Sequence, residues 1–246
     1  MLRHLSASSI RDFLTCPFKG KLAHIDRLRL ARQKAILVFG TAIHYSIQKY
    51  YEVSELPEGT FQNVWVEDDY IYSNGDSYES LRDCGVDLLR KFPVHPDTPK
   101  NPHSIEKMRY CEVGGVVPFW SVIDFTGNQG KLLLDWKTSS SKYPEHKAKL
   151  DLQLTAYAYV LAVTERFPEK VGFGVFIKKK DPEIQYLFAK RTKEDLREFE
   201  KLCEKVWNDV QDGYFPKIPG NHCSMCDYVP ICLREEVPEG YYTVKG

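Results

Sequence analysis

The sequence predicts a mixed α/β domain in which helices open the chain, a meander of three strands follows, and a helix, two strands and a last helix close it. Three observations carry this reading. Apolar residues recur at helical spacing up to about residue 53. From Ile105 the period shortens to that of strands, with glycine-rich turns between the extended runs. After those strands, HKAKLDLQLTAYAYVLAVTERF returns to a helical period before two further strand-like runs.

Each element has its own signal. SASSIRDFLTCPFKGKLAHI starts with cap-type serines and places Ile10, Phe13, Leu14 and Phe18 at helical spacing, which predicts a short helix from about Ser8. Residues 33–53 carry Ile36, Leu37, Phe39, Ile43, Ile47 and Tyr50 on one helical face. Gly40 lowers helicity there but permits close packing. Residues 53–104 read as an insert, either of helices or flexible, with one helical segment near Ser80 to Phe92, its end bracketed by prolines. SIEKMRYCEV, VVPFWSVIDFT and KLLLDWKTS are the three strands, broken by Gly114-Gly115 and by the turn Gly127-Asn128-Gln129-Gly130. The next helix is apolar at Leu150, Leu154, Tyr157, Ala158 and Leu161. VGFGVFIKK and EIQYLFAKR are two more strands. TKEDLREFEKLCEKVWNDVQDGYFP is the closing helix, with Thr192 as cap, Leu196, Phe199, Leu202, Val206 and Val210 on one face, and Gly213 as stop.

Composition bounds the function. The 246 residues are 43% hydrophobic, enough for a substantial core, and Lys plus Arg equals Asp plus Glu at 34 each. No global positive field therefore advertises nucleic-acid binding, and any such binding needs a local basic cleft. No apolar run long enough to cross a membrane appears, and MLRHLSASS has no apolar signal core, so the expectation is a soluble protein of the cytoplasm, or of a host's cytoplasm if virus-encoded, without membrane partners. In that reducing compartment cysteines do not form a disulfide framework. Cys223, Cys226 and Cys232 instead form a C-x2-C-x5-C run, while Cys84, Cys111 and Cys203 stand alone as apolar fillers. A fourth ligand is needed. His222 would complete a zinc site, and Cys16, followed by proline in LTCPFKG, would complete an iron–sulfur site.

The stretch LLLDWKTSS ends a greasy strand on two opposite charges. Asp135 and Lys137 are two apart and share a face, whereas Trp136 points the other way. Singly, either charge is an ordinary solvated turn residue. Asp124, however, lies on the preceding strand, and if the Gly127 to Gly130 turn pairs the two strands both carboxylates reach one sheet end. Two carboxylates beside a lysine suit magnesium or manganese. The metal would activate water and polarise a phosphate, and Lys137 would orient that water or offset developing charge. No Walker phosphate loop is present, so motor action would belong to a partner.

These residues carry a resemblance. IDFTGNQGKLLLDWKTS is similar to the central motif of the PD-(D/E)XK nuclease superfamily, in its RecB-like branch. GTAIH, ending in His44, resembles that branch's upstream G-x-x-x-H element; LDLQLTAYAY resembles its Q-x-x-x-Y helix; and Cys16 with Cys223, Cys226 and Cys232 resembles the iron–sulfur staple of AddB-type and CRISPR-adaptation nucleases. The resemblance implies a single nuclease domain over residues 1–246, with a restriction-endonuclease-like mixed sheet flanked by helices. Its N- and C-terminal segments (residues 16 and 223–232) would be joined at a 4Fe-4S cluster. His44, Asp124, Asp135 and the backbone carbonyl of Trp136 are then expected to hold Mn2+ or Mg2+. Lys137 is expected to be the catalytic lysine, Gln153 and Tyr157 to contact the scissile region, and Glu106 or Glu112 to add an acid. The implied activity is metal-dependent hydrolysis of DNA, as an exonuclease on single strands or ends, with a helicase, CRISPR-adaptation or recombination partner. The alternative is a catalytically inactive DNA-binding subunit of a repair, CRISPR or viral complex.

Overall fold

The computed structural model describes residues 2–73, 75–234 and 237–244. In chain order the elements are α1 (Ala7–Thr15), α2 (Pro17–Gly20), a π turn (Lys21–Ile25), β1 (Leu28–Leu30), α3 (Ala35–Val53), α4 (Pro57–Val64) and α5 (Tyr78–Lys91). They continue with β2 (Pro102–Val113), β3 (Val117–Gly127), β4 (Leu132–Ser139), α6 (Lys147–Leu150), α7 (Leu152–Thr164), β5 (Lys170–Ile177) and β6 (Glu183–Ala189). The last are α8 (Lys193–Gln211), a 3-10 turn (Asn221–Met225), α9 (Val229–Arg234) and β7 (Tyr241–Thr243). Among the described residues no helix is long and apolar enough to cross a membrane.

The main sheet is mixed and five-stranded, in the order β2-β3-β4-β5-β6, and helices flank it, as the family resemblance implies. β3 and β4 are antiparallel, with Gly127 opposite Leu132 and Phe125 opposite Leu134. The turn between them holds Asn128, Gln129 and Gly130 at positive φ of 52°, 58° and 82°, conformations that asparagine and glycine tolerate best. β4 and β5 pair in parallel, from Leu132 opposite Lys170 to Ser139 opposite Ile177. A parallel pair needs a crossover, and α6 with α7 supplies it. Strands buried on both faces read as continuous apolar runs, which accounts for LLL in β4 and VGFGVFI in β5.

Three expectations need correction. The helix predicted across residues 146–167 breaks at Asp151, which is extended (φ −75°, ψ 124°) and caps α7 through its carboxylate, accepting the Leu154 N–H at 3.1 Å. Leu150, assigned to the apolar face, is therefore carried outward and is 78% exposed. In residues 53–104 a helix precedes the predicted one: α4 starts at Pro57, whose fixed φ suits a first turn, and it buries Phe61 against Phe39 and Trp65. In α8 the buried stripe is Phe199, Cys203, Val206 and Val210, so Cys203 rather than Leu202 faces inward.

The chain forms two compact units. One comprises Met1–Arg32, Tyr110–Ser121 and Glu194–Gly246; the other comprises Gln33–Arg109 and Val122–Lys193. The first pairs β1 with β7 antiparallel and packs Leu22, Ala23, Leu28, Tyr228 and Ile231 together. The second has an aromatic core of Phe39, Phe61, Trp65, Phe92, Phe125, Trp136 and Phe176. Trp136 is its keystone, in edge contact with Phe92, Phe125, Phe176 and Tyr186. Gly174 makes room for it: a Cβ there would lie 2.4 Å from the indole ring.

Candidate active site

The second unit gathers the predicted residues at the sheet end where β3 and β4 diverge. Beyond the Phe125–Leu134 pair, the Asp124 carboxylate takes the place of a strand partner and accepts the Trp136 backbone N–H at 2.7 Å. Burying Trp136 in the aromatic core thus aims its own N–H at Asp124. The Trp136 carbonyl accepts Nε2–H of His44 at 2.8 Å. His44 reaches it because Gly40, one helical turn earlier on α3, lies against β4, where a Cβ would stand 3.3 Å from Thr138 Oγ1.

The other nitrogen of His44, Nδ1, faces two acids, Glu106 Oε1 at 3.5 Å and Asp124 Oδ2 at 3.6 Å. One ligand atom from each of His44, Glu106 and Asp124 lies within 4.8 Å of the others, the separation at which a single cation can be shared. Between the two acids the sequence left open, the geometry picks Glu106. Its φ of 42° within β2 is a strained value for a non-glycine residue and turns its side chain to His44. Glu112 is exposed and accepts instead from the Tyr110 hydroxyl at 3.4 Å. No composition or spacing signal separates the two glutamates, because the distinction lies in a local backbone twist.

Asp135 and Lys137 form the second half of the site. Asp135 is fully buried, so the pair is not a surface ion pair. Lys137 Nζ lies 2.6 Å from Asp135 Oδ2 and donates to Gln153 Oε1 at 3.0 Å. Gln153, on α7, uses its amide N–H groups on Asp135 Oδ1 at 2.9 Å and on the Tyr157 hydroxyl at 2.7 Å. The break at Asp151 sets the start of α7 and so the heights of Gln153 and Tyr157, four apart on one face.

Burial governs the acidities. It pushes both Asp124 and Asp135 well above the ordinary carboxylate range; the neighbouring Asp135 charge adds to the rise at Asp124, while Lys137 opposes the rise at Asp135. Burial pulls His44 down, but contact with Glu106 and the charges of Asp124 and Asp135 outweigh it and raise the imidazole above its usual value. Lys137 follows the same balance: burial lowers it, Asp135 and Asp124 raise it further, and the net is upward. Tyr157 is held protonated by burial and by the two aspartates. Three carboxyls share this part-buried site with one lysine and one histidine, and the raised acidities of Asp124 and Asp135 mean that the site resists ionising all three, a penalty that a divalent cation would remove.

The cysteine set lies in the first unit. Cys16 is buried and its sulfur accepts the Ile218 N–H at 3.5 Å; Cys223 accepts the Gly220 N–H at 3.5 Å. Burial raises the Cys226 thiol, and the nearby Cys16 adds to that rise. His222 donates Nε2–H to the Ile218 carbonyl at 2.9 Å. Cys84, Cys111 and Cys203 are buried, with burial pushing the thiols of Cys84 and Cys111 up to about 11.

Known proteins agree with this architecture. The family profile of the PD-(D/E)XK nuclease superfamily matches residues 4–233, and the chain belongs to that superfamily of metal-dependent nucleases. A crystal structure of a Eubacterium rectale protein assigned as an exonuclease superposes with a TM-score of 0.64 at 14% identity, covering 98% of this chain and 91% of that one, which is a likeness of fold. The SSO0001 crystal structure, at 15% identity over 94% of this chain and 96% of its own, reaches a TM-score of only 0.38. No curated protein matches the chain in sequence.

Proposed function

We propose that this nuclease hydrolyses phosphodiester bonds of DNA at single strands or ends, with Mn2+ or Mg2+ at His44, Glu106, Asp124, Asp135 and the Trp136 carbonyl. The observation that carries the reading is the convergence of His44, Glu106 and Asp124 within 4.8 Å beside a buried Asp135–Lys137 pair. A bound divalent cation supplies polarisation of the phosphate and a water of lowered pKa. The chain supplies the rest. Lys137, kept cationic by Asp135, offsets negative charge developing on the phosphate, and Gln153 holds the lysine and the aspartate in register. Tyr157, held protonated, frames the site from α7. A groove of about 370 Å3 runs along the exposed face of α3 past Leu37, Thr41 and Tyr45 to His44 and Glu106, which is room on the scale of one nucleotide.

The RecB-like branch and its iron–sulfur staple belong to the same proposal. Cys16, Cys223, Cys226 and Cys232 would hold a 4Fe-4S cluster; backbone N–H groups already directed at two of the sulfurs are the kind of contact that stabilises cluster thiolates. The cluster would be structural, closing a long stretch of chain. The expected preparation, purified anaerobically, is brown with absorbance near ~400 nm, and serine at any of the four bleaches it; a colourless zinc-loaded protein overturns the cluster. End-labelled single- and double-stranded DNA of both polarities, incubated with manganese, magnesium or chelator, tests the activity. Absence of cleavage in every metal overturns it.

A further inference from the structure

The first unit carries a concentration of positive charge that the acidic site does not use. A pocket of about 290 Å3 is lined by Arg3, His4, His24, Arg27 and Arg29 beside the Ser6 hydroxyl, and among the described residues no carboxylate lines it. In a chain with 34 basic and 34 acidic residues this is a local surplus and not an overall one. His24 is already matched by Asp12 at 2.8 Å, and Asp12 in turn by Lys19. Arg29 donates to the carbonyls of Ala23 and Leu28 and pairs with no carboxylate among the described residues. Arg3 and Arg27 pair with no carboxylate among the described residues. Arg27 also holds a φ of 55°, a backbone conformation that L side chains rarely adopt, and its carbonyl accepts the Val244 N–H at 3.1 Å.

Aromatic rings adjoin the pocket. His4, one of its walls, stacks on Trp120 with ring centres 4.8 Å apart and planes 16° from parallel. Trp120 is 41% exposed and Tyr110, in edge contact with it, 48% exposed. The segment is firmly placed, since Leu5 exchanges backbone hydrogen bonds with Pro118 and Trp120 of β3. Unneutralised guanidinium groups next to an exposed aromatic platform match a strand of alternating phosphates and planar bases.

We propose that the Arg3–Arg27–Arg29 pocket and the Trp120–Tyr110 platform bind an unpaired strand of nucleic acid, phosphates in the pocket and a base on the rings, using none of the residues of the acidic site. An unpaired strand is specified because a duplex hides its base faces in its own stack. A free phosphate would satisfy the arginines alone, and an acidic peptide would leave the rings without a planar partner.

The test uses the full chain with fluorescein-labelled oligo(dT) and with a matching duplex, in chelator, by fluorescence anisotropy at several salt concentrations. Wild type binds the single strand more tightly. The Arg3→Ser/Arg27→Asn double variant, with asparagine chosen because it tolerates the left-handed backbone, lowers the slope of log K against log salt by about 1.4, or roughly 0.7 for each lost phosphate contact. Arg3→Ser alone, at an exposed position, lowers it by about half as much and keeps the test open should the double variant misfold. Trp120→Leu weakens binding about tenfold and leaves the slope unchanged, as loss of one stacked base requires. Wild-type affinity and slope in these variants overturn the proposal, as does displacement of the strand by poly-glutamate as readily as by unlabelled oligo(dA). Because binding is read in chelator, it is independent of cleavage: a chain that cuts DNA but fails here loses only this site, and one that passes here but cuts nothing loses only the nuclease reading.

Discussion

Two lysine–aspartate pairs in the same unit have the same closest approach, 2.6 Å, and different surroundings. Lys178 grips both oxygens of Asp76, and the cavity beside it is lined by Asp76, Asp83 and Asp87 against Lys178, Lys179 and Lys180, an even balance. Lys137 touches one oxygen of Asp135, and around it Asp124 and Glu106 add two further carboxyls that face His44. The geometry of an ion pair therefore does not mark a reactive site. What distinguishes the candidate active site is an excess of acids over cationic partners held away from water, since such acids resist ionising until a cation completes them, whereas a balanced pair is already complete.

The comparison can be broken by substitution. The largest expected effect is on cleavage: Lys137→Ala, Asp124→Asn and Asp135→Asn each lower the rate by on the order of a hundredfold or more, the scale of one electrostatic catalytic group, while circular dichroism stays native. Wild-type cleavage by the Lys137→Ala/Asp135→Asn double variant would sink the site. Next in size is stabilisation by metal. Manganese at about a hundred times its Kd adds ~2.7 kcal/mol to the native state, seen as a rise of several degrees in Tm, and Asp124→Asn loses that rise whereas Asp76→Asn keeps it.

A smaller effect sharpens the contrast through pH. Asp124 and Asp135 have folded acidities raised above the ordinary ~4 of an unfolded chain. Groups of this kind contribute their stability in full below the unfolded value and lose it as pH rises through the folded one. In chelator, the Tm advantage of Asp124→Asn over wild type is expected to widen between about pH 5 and about pH 9, and manganese is expected to close it. A gap that narrows with rising pH contradicts the placement of these charges. The smallest effect is the control: Lys178→Ala costs about 1.5 kcal/mol in denaturant unfolding, the low end for a hydrogen bond to a charged group, and leaves cleavage within about twofold.

Much of the fold is legible along the chain because its signals are local. Strand-like runs at residues 104–113, 116–126 and 131–139 correspond to β2, β3 and β4 within two residues at each end, and the Gly127 to Gly130 turn is where the hairpin reverses. The same locality places Asp135 and Lys137 on one face and Gln153 above Tyr157. Locality also sets the failures. Asp151 reads as one polar position in a helical run, yet as a cap it divides α6 from α7, because a short acid competes with the helix for the Leu154 N–H. Pro57 reads as a break although it opens α4.

By itself, then, the chain order of apolar and polar residues determined the three-strand meander, most of the long helices and the placing of Asp124, Asp135 and Lys137 at adjoining strand ends. The choice of Glu106 over Glu112, the reach of His44 across Gly40 to the Trp136 carbonyl, and the full burial of Asp135 came from packing between elements distant in sequence. The reason is physical. Periodicity records which side of an element avoids water, but how much charge a site accumulates depends on which backbones approach closely enough to exclude water, and that is set by the whole core around Trp136.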